Sequence, residues 1–216
     1  MPGSAGFFDA IARRYDRVYA RSRDASREGL ARVLRELAPL SRVLDLGVGT
    51  GRELPALLDA GHHPVGLDVS TEMLALCAQR SRPIPLVEGD LWERLPWDDA
   101  SFDAVLALHG TLAHAPSEEA RRAFPQEVAR VLRPGGVFLA EVPTEEWFEA
   151  QASLGDGNVV WLGEGRGRFV DEATGASVEV WLASAEGWRA LFEGALLLRV
   201  EPGARGELLI VGRAPS

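Results

Sequence analysis

The chain has no lysine: all 23 of its lysine-or-arginine positions are arginine. That excludes Schiff-base chemistry on a lysine amine and the phosphate-binding lysine of a P-loop. Cys77 is the single cysteine, so neither an intramolecular disulfide nor a cysteine-built zinc site can form, and no metal site is expected. Cys77 itself reads as a small apolar residue on a helix. Long apolar runs are missing too. No stretch reaches the roughly 20 residues of a membrane span. Arginines interrupt the opening MPGSAGFFDAIARRYDR before an apolar core of signal-peptide length accumulates. The expectation is a cytoplasmic protein that does not engage a membrane. Positive charge is also scarce, with a formal net charge of −9. The densest basic cluster, Arg13, Arg14 and Arg17, is diluted by Asp9, Asp16 and Asp24. Such a surface repels phosphate backbones, so nucleic acid is not an expected partner.

What is present is a 216-residue chain of ordinary globular composition, 46% hydrophobic and 25% charged. It is long enough to bury a core as one domain. Residues 4 to 20 and 25 to 38 have helical periodicity, and Pro39 ends the second run. Short β-rich runs at 42–46, 63–69, 85–90, 102–109 and 137–142 alternate with helical ones. These are RELPALLDAG, TEMLALCAQR behind a Ser70 cap, and 117–132 behind a Ser117 cap. Pro125 should kink that last helix or start a second one. After Pro143, GRFVDEATGASVEVWLA reads as a two-stranded hairpin. A helix from Ser184 to Gly194 and the strands ALLLRVEP and ELLIVG follow, the last two close enough in sequence to pair only antiparallel. The expected fold is α/β: a doubly wound, seven-stranded, mostly parallel sheet with an antiparallel last strand. N-terminal helices occupy 1–40, the core 41–143, a hairpin insertion 144–183, and the final helix and strand pair 184–216.

The first strand ends in Asp45 and Leu46, and Gly47, Gly49 and Gly51 follow in alternation. Glycines there let a ligand touch backbone, and the next helix offers unpaired N–H groups. Asp68 ends the second strand, where a carboxylate can accept both hydroxyls of an adenosine ribose. The dinucleotide pattern G-x-G-x-x-G fails in both registers, because its third glycine falls on Arg52 or Leu54. A nicotinamide-dependent oxidoreductase is therefore disfavoured.

VLDLGVGTG resembles the first motif of class I S-adenosylmethionine-dependent methyltransferases, of the small-molecule type. VGLDVSTEML resembles their second motif, EGDLWERLPWDDASFDAVLA the third-strand acid and the lead into strand four, and VARVLRPGGVFLAEV the turn into strand five. The matches run in the family's order over about half the chain. The resemblance implies S-adenosylmethionine as cofactor, with S-adenosylhomocysteine as product. It implies that Gly47, Gly49 and Gly51 form the loop beside the methionine part, and that Asp45 positions that loop and helps receive the ammonium. Asp68, with Val69 beside it, would take the ribose hydroxyls. Met73 would pack on adenine, Asp90 would accept from the adenine amino group with the Leu91 backbone alongside, and Tyr15 would close over the methionine end. Leu108 completes the cofactor set.

Simpler readings stand beside several of these. Met73 can be core filler, Asp90 a turn former, and Tyr15 an ordinary residue of an amphipathic helix. Trp92 and Trp97 read as packing, and His62 and His63 as solvated loop residues. His109 at the end of strand four and His114 in LAHAPSEE are the candidate catalytic bases, with packing as the alternative for each. Trp147, Phe148, Trp161, Phe169 and Trp181 either wall a substrate pocket or form the insertion's own core. The expected function is methyl transfer to an oxygen or nitrogen of a small-molecule acceptor. A non-catalytic cofactor-binding sensor or support subunit is the alternative.

Overall fold

The computed structural model describes residues 4–18, 30–31, 34–154, 158–203 and 206–215. Parts of both expected N-terminal helices, 19–20, 25–29 and 32–33, lie outside the described residues. Helix α1 spans Ser4–Val18. The main sheet has the order β3-β2-β1-β4-β5-β10-β9. Its strands are β1 (Arg42–Leu46), β2 (His63–Asp68), β3 (Leu86–Glu88), β4 (Phe102–Ala107), β5 (Leu132–Val142), β9 (Leu197–Pro202) and β10 (Leu208–Arg213). β1 pairs parallel with both β2 and β4. β10 pairs antiparallel with β5 and with β9. This is the expected seven-stranded α/β sheet. The order reverses between β1 and β4, which places the switch point where their carboxyl ends open.

Near-continuous apolar strands need cover on both faces. On one face Leu44, Leu46, Val105 and Phe138 pack with Phe124, Val128 and Val131 of α4 (Glu118–Val131) and with Trp188 and Phe192 of α6 (Ala185–Phe192). On the other, Val43, Ala104, Leu106 and Leu139 pack with Leu57 of α2 (Leu54–Asp59) and with Leu30. Helix α2 stops as Gly61 predicts. The Gly61 N–H donates to the Leu58 carbonyl, and the His62 N–H reaches back to that of Leu57, a paired closure that needs the left-handed backbone of Gly61 (φ 84°). Helix α3 (Thr71–Arg80) carries the expected Ser70 cap, whose oxygen accepts the Met73 N–H at 3.1 Å. Cys77 of α3 is buried, as expected.

Four features depart from the sequence reading. Helix α4 runs unbroken through Pro125, which is buried on the apolar stripe facing the sheet; no second helix starts there. β5 begins at Leu132 rather than 137, because Leu132 pairs with Phe102 and Val137 with Ala104 while the RPGG segment bulges out between them. His62 is buried rather than solvated: its Nδ1 accepts the Ser41 N–H at 3.2 Å, and burial, with the charge of His63, lowers its pKa. The insertion holds more than a hairpin. Helix α5 (Glu145–Ser153), capped by Thr144, precedes a three-stranded antiparallel sheet of β6 (Val159–Gly163), β7 (Arg166–Asp171) and β8 (Ala176–Trp181).

Most of the insertion aromatics form that unit's core, while Trp181 packs against the core of the main sheet. Phe148 is fully buried, with Trp147, Trp161 and Phe169 packed against its cluster. Trp181 stacks edge-on against Trp188. Gly167 sits so close to Phe148 that a Cβ would lie 2.2 Å from the ring. Among the described residues, no helix is long and apolar enough to cross a membrane.

Candidate active site

The pocket opens at the carboxyl ends of β1, β2, β3 and β4 and is roofed by α1. The turn after β1 is pinned to β2, because the N–H groups of Gly47 and Val48 both donate to the Leu67 carbonyl. Its glycines serve different ends. A Cβ on Gly49 would meet nothing closer than the Gly47 carbonyl at 3.9 Å, so its backbone is open to a ligand. A Cβ on Gly51 would lie 2.7 Å from Cys77 Sγ, so that glycine is there for helix packing. It is not on the pocket wall.

Gly47, Gly49, Asp68, Val69 and Met73 line the pocket from the turn and from β2 onward, and Asp90 and Leu91 from the segment after β3. Tyr15, His109 and His114 complete the expected set on the wall. Met73 faces both ways, since it also packs with Phe7, Ile11 and Ala12 of α1. Asp90 makes a local turn as well, accepting the Trp92 N–H at 3.0 Å. Leu108 is buried behind the wall, where its carbonyl accepts the Thr111 hydroxyl at 2.8 Å.

Asp68 is 7% exposed. Its Oδ2 accepts the Gly49 N–H at 2.8 Å and its Oδ1 the Ser70 N–H at 2.9 Å. Burial raises its pKa in spite of those donors and the Val69 backbone, and the charge of Asp9 adds to the rise. The carboxylate is thus under-solvated and gains from further donors. Asp45 lies in β1 one residue before its end, behind the pocket wall and 2% exposed, and among the described residues its buried Oδ2 has no partner. Burial, together with the charges of Glu53 and Asp68 and against that of His109, holds its carboxyl well above the usual range.

The two histidines differ sharply. His109 has a left-handed backbone (φ 57°). Its Nε2 lies 2.5 Å from Glu53 Oε1 and its Nδ1 3.5 Å from Glu141 Oε2. Burial opposes the imidazolium, but the charge and hydrogen bond of Glu53 and the charge of Glu141 outweigh it and raise the pKa. His114 ends a 3-10 turn (Thr111–His114) and packs between Phe8 and Phe169, with ring centroids 5.1 and 6.4 Å away. Burial pushes its pKa down to about 4, so it is neutral near pH 7, and its buried Nδ1 has no hydrogen-bond partner among the described residues.

Sequence reasoning did not select Phe8, Thr50, Arg52, Glu53 and Thr111 for the wall, and it assigned Trp92 to packing. Trp92 does both, lining the pocket and standing 5.1 Å from the Phe124 ring. Helix α1 is held over the opening by polar contacts from three of its residues. Asp9 accepts from the Ser70 hydroxyl at 2.6 Å, and Asp16 accepts from Thr50 at 2.8 Å and pairs with Arg80. Arg14 pairs with Asp171 of the insertion sheet at 3.1 Å.

A methyltransferase domain family matches residues 43–136. The demethylmenaquinone methyltransferase of Beutenbergia cavernae is 38% identical over 159 residues, 70% of this chain and 62% of that protein. The chain therefore spans under two thirds of that curated relative's length. Among solved structures, the methyltransferase in complex with the Haloferax volcanii Trm112 activator superposes with a TM-score of 0.77 at 24% identity, covering 100% of both chains. The S-adenosylmethionine-bound amino pentose methyltransferase from Micromonospora echinaspora gives 0.71 at 24% identity, covering 93% of this chain and 96% of that one. The matched family runs from β1 into the bulge of β5 and so takes in every strand end that borders the pocket; over that stretch the chain is similar to methyltransferase domains.

Proposed function

We propose that the chain transfers a methyl group from S-adenosylmethionine to an oxygen or nitrogen of a small-molecule acceptor, in the cytoplasm. The observation that carries this reading is Asp68, a buried carboxylate on the pocket wall that draws in the Gly49 N–H and still lacks solvation. The rest of the pocket suits the cofactor's parts. Ribose hydroxyls would complete the acceptor capacity of Asp68. The open backbone at Gly49 leaves room for the methionine portion, and the unpartnered Oδ2 of Asp45 suits an ammonium reached directly or through water. Adenine would lie on Met73, beside Asp90 and Leu91. Tyr15 would cover the methionine end.

When bound, S-adenosylmethionine supplies a methyl group already activated on a sulfonium. The residues then have to hold an acceptor in line and, for a hydroxyl, to take its proton. His114 is the candidate for the second task, as a neutral imidazole on the wall, though its lowered pKa makes it a weak base and its unpartnered Nδ1 is buried, which leaves Nε2 to face an acceptor. His109 suits it less, because both of its ring nitrogens are turned to carboxylates, Nε2 to Glu53 and Nδ1 to Glu141.

Turnover tests the reading. The purified chain is incubated with S-adenosylmethionine and a panel of phenols, amino sugars, small amines and demethylmenaquinone, the last included because of the curated relatives' name. S-Adenosylhomocysteine should form with one acceptor class and not without acceptor. Tight binding of S-adenosylmethionine with no turnover on any acceptor would favour the sensor or support-subunit reading instead.

A further inference from the structure

The methyl-transfer reading leaves one buried group without a task. Glu53, His109 and Glu141 come from three separate segments. Glu53, 5% exposed, caps α2 directly behind the glycine turn. His109 opens the loop after β4, and Glu141 belongs to β5. Two bonds hold the His109 backbone and ring: its N–H donates to Glu141 Oε2 at 3.1 Å, and Nε2 meets Glu53 Oε1 at 2.5 Å. Gly110, also left-handed (φ 76°), sends the chain on to Thr111. Thr111 presses on the glycine turn so closely that a Cβ on Gly47 would lie 2.7 Å from its methyl group. Burial raises the pKa of the Glu141 carboxyl, and the charges of Glu207 and Glu53 add to the rise, while the charge and backbone N–H of His109 act against it; the ring between Glu53 and Glu141 is what favours their ionised forms.

We infer that His109 is a positioning residue, whose imidazolium ties Glu53 to Glu141 and so holds the glycine turn against the loop that carries Thr111 and His114. The tie would fix the methionine end of the cofactor site relative to the acceptor side. That consequence rests on the methyl-transfer reading, whereas the tie itself rests on the geometry. Among the described residues, the charged groups that act on the ring include Glu53 before α2, Glu141 on β5 and Asp45 on β1, which favour the imidazolium, and Arg52 in the turn, which opposes it. Since the folded pKa of His109 lies above its ordinary value, the charged tie is complete below that ordinary value and is lost as pH rises through the raised pKa.

Two variants test it. His109→Asn removes the charge but keeps a residue that accepts a left-handed backbone, and Glu53→Gln removes the main charge partner while keeping shape. Three quantities are measured: histidine ring titration by NMR, with only four histidines to assign, amide exchange at residues 47–53, and S-adenosylhomocysteine affinity by calorimetry at pH 7. In the wild type the His109 ring should titrate above its ordinary value, and Glu53→Gln should bring it down. Both variants should exchange faster at 47–53 than the wild type, with β5 and β10 unchanged, and bind about tenfold more weakly. The tie is overturned if the ring titrates normally, or if both variants keep wild-type exchange and affinity. If exchange and titration respond but the wild type binds no S-adenosylhomocysteine, the tie stands and the methyl-transfer reading fails. Should His109→Asn not fold, Glu53→Gln carries the same three measurements.

Discussion

Asp68→Ala is expected to weaken S-adenosylhomocysteine binding by one to two orders of magnitude while the chain stays folded. Hydrogen bonds to a charged group contribute roughly 1.5–3 kcal/mol, and this carboxylate would lose those to the ribose. It would also release the Gly49 N–H it now holds at 2.8 Å, so the turn loses an anchor as well as the ligand an acceptor. Stability should change little. Burial makes the ionised Asp68 costly to hold, in line with its raised pKa. A raised carboxylate pKa means that ionisation at neutral pH works against folding, so removing the charge removes that cost too. Asp68→Asn should resemble the alanine variant in affinity, because its amide cannot accept from Gly49, Ser70 and two hydroxyls together. Calorimetry alongside thermal unfolding checks both halves. A folded Asp68→Ala protein with unchanged affinity would place the ribose elsewhere.

His114→Phe should lower kcat by about 10²–10⁴-fold if the acceptor is a hydroxyl that must lose its proton, and leave S-adenosylhomocysteine affinity within about twofold. Phenylalanine is chosen because the ring packs between Phe8 and Phe169, and alanine would open a cavity there. The wild-type profile should show no acid limb from this residue until pH falls toward about 4, where His114 takes up its proton. With an amine acceptor already neutral in the pocket, the variant should stay within a few-fold of the parent. Initial rates across pH, with whichever acceptor turns over, separate the two cases.

The sheet was legible because each β-rich run ended in a chemically marked residue. Asp45 with its glycines and Asp68 before a serine cap announce the ends of β1 and β2, whereas the RPGG segment that read as a turn is a bulge within β5; most of the expected cofactor set does border one pocket. What stayed hidden depends on contacts across strands. Glu53 follows the glycine turn and Glu141 sits inside a strand, and nothing local to either shows that both meet His109; that follows only once β1, β4 and β5 are neighbours. Likewise Asp9 and Asp16 look like solvated charges on an amphipathic helix until α1 lies over Ser70 and Thr50. Helix α5 could have been found. Thr144 is a good cap, and its side chain does accept the Trp147 N–H, with Glu145 and Glu146 in the first turn. The aromatic residues there read equally as a pocket wall or as a small core. They serve a small core that the insertion could not bury otherwise.

A crystal structure of the wild-type chain with S-adenosylhomocysteine tests the central claim most directly. The account predicts both ribose hydroxyls on the Asp68 carboxylate, the ammonium at Asp45 directly or through one water, and adenine against Met73 beside Asp90 and Leu91. Its sulfur should face the side of the pocket that His114 borders. A nucleoside bound away from the β1 and β2 ends, or a pocket that takes NAD and leaves S-adenosylhomocysteine unbound, would contradict it.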